Sequence, residues 1–272
     1  MPDLLLGLDV GTSSARAMVF TPDGVAVGAA QTGLLSTQPA AGRVEQDPAM
    51  VWEAVQQVLA QALANAGCAP GDVASLGVTT QRSSVVIWER ASGHPVAPMV
   101  VWNDLRGGER AAQLQAEGFP VMNITAAAKL EGVLAALPDG RQRAHAGELA
   151  WGTLESYLVY RLTDGKRHIT DRSCAWSTAY LDFFDPTRWN EALIAHQGLP
   201  LEFFPTLCDT TGNLGVTDAQ VFGAAVPLGA MVGDQQAGMF AHQALEAGQW
   251  KATFGTSGVL MIATGEVLDV SS

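Results

Sequence analysis

Asp9, Gly11, Thr12, Ser13, Ser14 and Arg16 crowd a carboxylate, three hydroxyls and a guanidinium into eight residues after the apolar run that begins at Leu4. Gly11 permits a left-handed backbone and close approach to a ligand. The amides and hydroxyls of Thr12, Ser13 and Ser14 point into one small space, and Arg16 adds a fixed positive charge. Such a turn suits an anion, with phosphate the obvious candidate. Asp9 repels a bare phosphate, so its presence points to a bridging cation such as Mg²⁺. An ordinary hairpin with a polar tip is the alternative reading of the same residues. A second turn of this kind, Gly255-Thr256-Ser257-Gly258, lies near the carboxyl end between two apolar runs. The pair suggests two phosphate loops facing each other across a cleft.

The elements that must hold these loops are legible from periodicity. Residues 4–10 and 14–20 read as a hairpin with Gly11 at its tip, and Val25 to Leu34 as a third strand after the Pro22-Asp23-Gly24 turn. The pattern is a strand meander, with no G-x-x-x-x-G-K-[ST] or G-x-G-x-x-G motif. Asp47 caps the next helix and Pro48 occupies its first turn. Val51, Trp52, Val55, Val58, Leu59, Ala62 and Leu63 form its apolar face, and Gly67 ends it. Val73–Thr79, Val85–Trp88 and Met99–Trp102 read as strands. Helices are expected over Leu105–Glu117, Ala127–Leu137 and Trp151–Leu162. Residues 163–212 are turn-rich. Ala230–Gly233 reads as a short strand and Asp234 as the start of a helix reaching about Leu245. The chain ends in the hairpin Trp250–Phe254 and Val259–Ala263.

Composition bounds the class. The chain has 272 residues, 48% hydrophobic and 15% charged, enough for one large domain or two. A formal net charge of −12 argues against nucleic acid or an anionic membrane as partner. No apolar run is long enough to span a bilayer, and the short amino-terminal run lacks the basic flank of a signal peptide. Cys68, Cys174 and Cys208 are far apart and read as free core thiols. The five histidines show no ligand spacing. A cytoplasmic location is expected.

Six ordered segments carry a resemblance. They are Leu8–Arg16, Val44–Pro48, Thr80-Gln81-Arg82, Val101–Arg106, Gly233–Ala237 and Phe254–Gly258. Together they resemble the FGGY carbohydrate kinases, closest to the glycerol kinase and xylulokinase branches. The resemblance implies an α/β, actin-like (ribonuclease-H-like) ATPase fold with a mixed sheet flanked by helices. It implies ATP, Mg²⁺ and a small sugar or polyol in a cleft between two domains, residues 1–243 forming the first and 244–272 opening the second. Asp9 would sit near Mg²⁺; Gly11, Thr12, Ser13, Ser14 and Arg16 would surround the ATP phosphates with Gly255 and Thr256. Arg82, Ser83, Trp102, Asn103, Asp234 and Gln235 would bind the sugar. Asp234 would be the catalytic base of a phosphoryl transfer that otherwise needs positioning and charge neutralisation. Local sequence leaves alternatives open. Asp234 reads equally as a helix cap, Arg82 as the partner of a surface acid, Trp102 as core, and Asn103 and Asp104 as turn formers. Glu45 and Asp47 read as structural.

The chain departs from the pattern in ways that bear on substrate. Ser83 stands where the glycerol-kinase pattern has Glu, Val121–Thr125 replaces a segment carrying Tyr, and Val259 replaces Phe. The expected substrate is therefore a xylulose-, glycerol- or related polyol-type molecule. Family members are about twice this length, so these residues alone are expected to be inactive as a kinase. The terminal hairpin is expected to leave an unpaired edge that packs poorly or pairs with a second copy. A non-catalytic nucleotide-responsive protein and a phosphatase on the same fold are the competing classes.

Overall fold

In the computed structural model, residues 3–254 and 258–265 are described. Its centre is a five-stranded mixed sheet. The strands are β1 (Leu4–Val10), β2 (Ser14–Phe20), β3 (Ala26–Gly33), β4 (Val73–Thr80) and β5 (Leu228–Gly233). Their spatial order is β5-β4-β1-β2-β3. β1, β2 and β3 form an antiparallel meander, whereas β4 and β5 run parallel to β1. The sheet, with helices packed against it, is that of an α/β protein.

Alternation decides which face is covered. Leu6, Leu8, Val10, Ala15, Ala17, Val19, Leu76, Val78 and Met231 are buried on one side. Helix α1 (Pro48–Ala66) lies over that side, and Val51, Val55, Val58, Leu59 and Ala62 complete the core. Asp47 caps α1 by accepting from the Ala49 amide, and Gly67 closes it in the left-handed conformation. The approach of α1 to β3 depends on Gly28. A Cβ there would lie 2.5 Å from the Ala62 carbonyl oxygen and 2.6 Å from the Ala66 nitrogen.

A second hydrophobic core surrounds the strand pair Val86–Glu89 and Leu149–Gly152, with Trp151, Tyr180, Phe203 and Phe204 at its centre. The helix α2 (Leu154–Leu162) is buried along most of its length and joins the first core. The last helix is α3 (Asp234–Ala241). The terminal hairpin Trp250–Phe254 and Gly258–Ile262 pairs, among the described residues, only within itself.

Several expectations require correction. Gly11 is not in the left-handed region, because Gly11 N–H donates to the Ser14 carbonyl and closes the turn with ordinary φ. The helix expected over Leu105–Glu117 begins at Gly108, since the Asp104 side chain holds residues 104–106 in a turn. The expected Ala127–Leu137 helix is a 3₁₀ turn, Ala126–Ala128, followed by a helix over Leu130–Ala135. Residues 149–152 are strand, so the helix expected from Trp151 starts at Leu154. The strand at Met99 ends at Val100, and α3 stops at Ala241. Cys174 is buried, but Cys68 and Cys208 are only half-buried. All three are free thiols.

Candidate active site

Parallel pairing brings the carboxyl ends of β1, β4 and β5 to one edge: Val10 aligns with Thr80, and Thr80 with Gly233. The three segments that follow, Gly11–Ser13, Gln81-Arg82 and Asp234-Gln235, therefore emerge side by side. Ligand sites of open α/β sheets lie at this kind of edge. A cleft of about 550 Å³ opens here. Thr12, Ser13, Arg82, Ser83, Trp102, Asp234 and Gln235 line it, and Ile124 and Val259 supply apolar wall.

Asp234 is the first residue of α3, not its cap; Gly233 takes the cap position. The Asp234 carboxylate accepts from the Gln235 amide at 2.8 Å and the Gln235 side chain at 3.2 Å. Arg82 Nε lies 3.4 Å from Asp234 Oδ1. The pairing explains why residue 233 is glycine, since a Cβ there would lie 2.5 Å from Arg82 Cδ. Both side chains remain partly open to solvent, so the pair contributes little to stability. It does hold a carboxylate and a guanidinium fork where vicinal hydroxyls can meet both.

Trp102 is not core. It is half-buried, and its Nε1 donates to Thr12 Oγ1 at 2.9 Å, joining the first loop to the wall of the cleft. Ser83 adopts φ of 62° and donates to the Ser177 carbonyl at 2.6 Å. Asn103 does not line the cleft; its Oδ1 is enclosed without a hydrogen-bond partner in the structure described. Ser14 continues β2 opposite Gly33. Gly255 and Thr256 lie outside the described residues.

Asp9 and Arg16 face each other across β1 and β2 and line a separate groove of about 270 Å³ on the open sheet face. Burial pushes the Asp9 pKa up, Arg16 opposes this, and Asp234 adds to it. Mg²⁺ is commonly held by one or two carboxylates together with phosphate oxygens, and Asp9 offers one such carboxylate near the carboxyl end of β1. Among the described residues no cluster of three or more His, Cys, Asp or Glu is present to form a closed protein cage. Arg16 donates to Gln31 Oε1 at 3.2 and 3.1 Å.

Residues without an obvious chemical role position the loops. Gln81 Oε1 accepts from Thr12 and Ser84 hydroxyls, and its Nε2 donates to the Gly11 carbonyl and Gln46 Oε1. Gln46 donates in turn to the Thr12 carbonyl at 2.7 Å. Asp171, fully buried, accepts from Ser173 Oγ at 2.7 Å; that hydroxyl accepts from the Gly233 amide at 2.8 Å, one residue before Asp234. Asp104 is also buried. Burial raises its pKa, but hydrogen bonds from Arg106 and the Val44 amide outweigh this and hold it low. Arg106 bridges Asp104 to Glu45. His168 is structural too: burial lowers it to about 4, and its Nε2 faces the Trp151 carbonyl.

Residues 4–241 match the family model described as the FGGY family of carbohydrate kinases, N-terminal domain. The chain is 36% identical over 276 residues to a glycerol kinase of Xanthobacter autotrophicus, covering 98% of this chain and 55% of the relative. It is 38% identical over 277 residues to a glycerol kinase of Paracidovorax citrulli, covering 98% and 54%. The chain thus spans about half the length of these curated relatives. Among solved structures, the Plasmodium falciparum glycerol kinase with ADP superposes with a TM-score of 0.88 at 21% identity, over 95% of this chain and 54% of that one. A Brucella ovis structure titled as a xyloylose kinase gives 0.81 at 27% identity, over 94% and 53%. No helix among the described residues is long and apolar enough to cross a membrane.

Proposed function

Because the chain belongs to the FGGY family of carbohydrate kinases, we propose that the cleft at the ends of β1, β4 and β5 binds a sugar or polyol and presents one hydroxyl for ATP-dependent phosphorylation. The observation that carries this reading is the facing pair Arg82 and Asp234 beside Trp102 in one cleft. Residues 1–243 form the sugar- and phosphate-binding domain, and 244–272 begin the domain that closes over ATP. The substrate is a xylulose-, glycerol- or related polyol-type molecule.

Arg82 donates to substrate hydroxyls and Trp102 gives the carbon face an apolar wall. Asp234 orients the reacting hydroxyl and accepts its proton as the bond to phosphorus forms. Thr12 and Ser13, with the amides around them, face the phosphate groups, and Gly11, Ser14 and Arg16 shape and charge that side. Gly255 and Thr256 contribute the opposing phosphate loop. Asp9 is the residue that would hold Mg²⁺, which when bound neutralises phosphate charge. The 272 residues span about half the length of the curated relatives, and closure over ATP is assigned to a domain of which residues 244–272 are a part. Water exclusion and alignment of the terminal phosphate then fail, so this length by itself has little or no kinase activity.

ADP release across a panel of polyols and ketoses tests the reading in the protein carrying a second half as its relatives do. Release that depends on one polyol or ketose supports it. Equal release without any acceptor would instead indicate a phosphatase-like or nucleotide-responsive protein.

A further inference from the structure

We propose that a second cavity, between the Arg43 loop, the Asp104–Arg106 turn and the helix Leu130–Ala135, binds a phosphate monoester. It has a volume of about 720 Å³ and shares no lining residue with the polyol cleft. This proposal does not rest on the kinase reading.

The charge of the cavity runs against that of the molecule. The chain has only 15 lysines and arginines against 27 acids, yet Arg43, Arg106, Arg110, Lys129 and Arg141 all line this one space. Glu45 and Glu131 are the acids that line it. They do not exhaust the cations. Glu131 is shared, taking Arg110 Nε at 2.6 Å on one oxygen and Arg141 Nη2 at 3.2 Å on the other; Arg110 also lies 3.7 Å from Glu117, and Arg141 donates to the Gln197 carbonyl at 2.8 Å. Glu45 and Asp104 engage Arg106. The Arg43 side chain, exposed at the mouth of the cavity, has no hydrogen-bond or ion-pair partner among the described residues. Arginine forks bind phosphate oxygens in pairs, which favours a phosphate ligand over a single-point anion.

Lys129 is the second, independent observation. It is 1% exposed, and its ammonium donates to the Val101 carbonyl at 3.2 Å and the Trp102 carbonyl at 3.0 Å. An ammonium carries three donors, so one is left over. No carboxylate lies within ion-pair distance of it among the described residues. Burial holds Lys129 toward its neutral amine, with a pKa of about 7, and a dianion in the cavity it lines would favour the ammonium and its third donor. Val96, Pro98, Val133 and Leu137 give the cavity an apolar wall as well, which fits the carbon body of a monoester. Lys129 also ties the two sites together, since one carbonyl it holds belongs to Trp102, which lines the polyol cleft.

Isothermal titration of the purified chain with glycerol 3-phosphate, glucose 6-phosphate and inorganic phosphate at pH 7.5 and low salt tests this. One monoester is expected to bind with one-to-one stoichiometry. Arg43→Ala is expected to weaken it at least about tenfold, the loss of one charge-assisted contact, and Lys129→Met to abolish it. Arg82→Ala, in the other cleft, is expected to leave it unchanged. Should Lys129→Met not fold, Arg43→Ala and Arg141→Ala carry the test. Absence of binding by the folded chain would overturn the proposal, as would binding lost in Arg82→Ala but kept in Arg43→Ala. Inorganic phosphate binding as tightly as either ester would overturn the monoester assignment.

Discussion

Lys129 couples its protonation to folding. Burial lowers its pKa to about 7, Asp104 opposes the shift, and Arg106 adds to it. In the unfolded chain the group titrates near its ordinary value of 10.5. Between these values the unfolded chain holds a proton that the folded chain has released. Stability attributable to Lys129 therefore rises with pH across that window, by up to about 1.4 kcal/mol per pH unit. Urea unfolding from pH 7.0 to 8.5 should show the parent gaining on Lys129→Met; parallel pH profiles would contradict the shift. Sequence did not expose this residue. Its acceptors lie 27 and 28 positions away, in residues that periodicity read as the end of a strand. Thr12, Arg82, Trp102 and Asp234 were legible because each stands in a short contiguous motif. Gln46, Gln81 and Ser173 were not, because their roles lie in hydrogen bonds to Thr12 and Gly233 across 34 to 69 positions.

At the scale of elements, the meander and α1 were readable because alternation and the Asp47-Pro48 start signal agree with the tertiary packing. The helices expected from Leu105 and from Trp151 were misjudged at their starts for two physical reasons. Hydrogen bonds accepted by the Asp104 carboxylate, and strand pairing at Leu149–Gly152, override helical propensity there. Gly28 shows a requirement of the opposite kind, set by contact rather than by conformation. Gly28→Val forces side-chain atoms into the α1 backbone and should destabilise the fold by about 1–3 kcal/mol, the usual range for overpacking. Thermal or urea unfolding measures it, and an unchanged midpoint would show that α1 does not approach β3 so closely. Gly233→Ala should displace Arg82 from Asp234 and weaken acceptor binding more than folding, a difference seen by comparing KM with the unfolding midpoint.

Across the whole molecule, the sheet edge gathers loops separated by more than 200 residues into one wall of a cleft. The family and the fold were legible because short contiguous segments, among them Leu8–Arg16, Thr80-Gln81-Arg82 and Gly233–Ala237, fall along that edge. The chain spans about half the length of its curated relatives. On the terminal hairpin Trp250 is 64% exposed and Phe254 89%. ADP release by the 272 residues alone should stay near background with ATP, Mg²⁺ and any polyol or ketose; robust turnover by a monomer of this length would contradict a two-sided cleft. The central claim is that Asp234 accepts the proton of the reacting hydroxyl. It is tested most directly by comparing Asp234→Asn with the parent in a protein carrying both halves, at saturating acceptor and ATP. Asparagine keeps an oxygen for the Gln235 amide but no basic carboxylate, so kcat should fall by about 10²–10⁴-fold with the unfolding midpoint nearly unchanged. Near-parental kcat in Asp234→Asn would contradict the account.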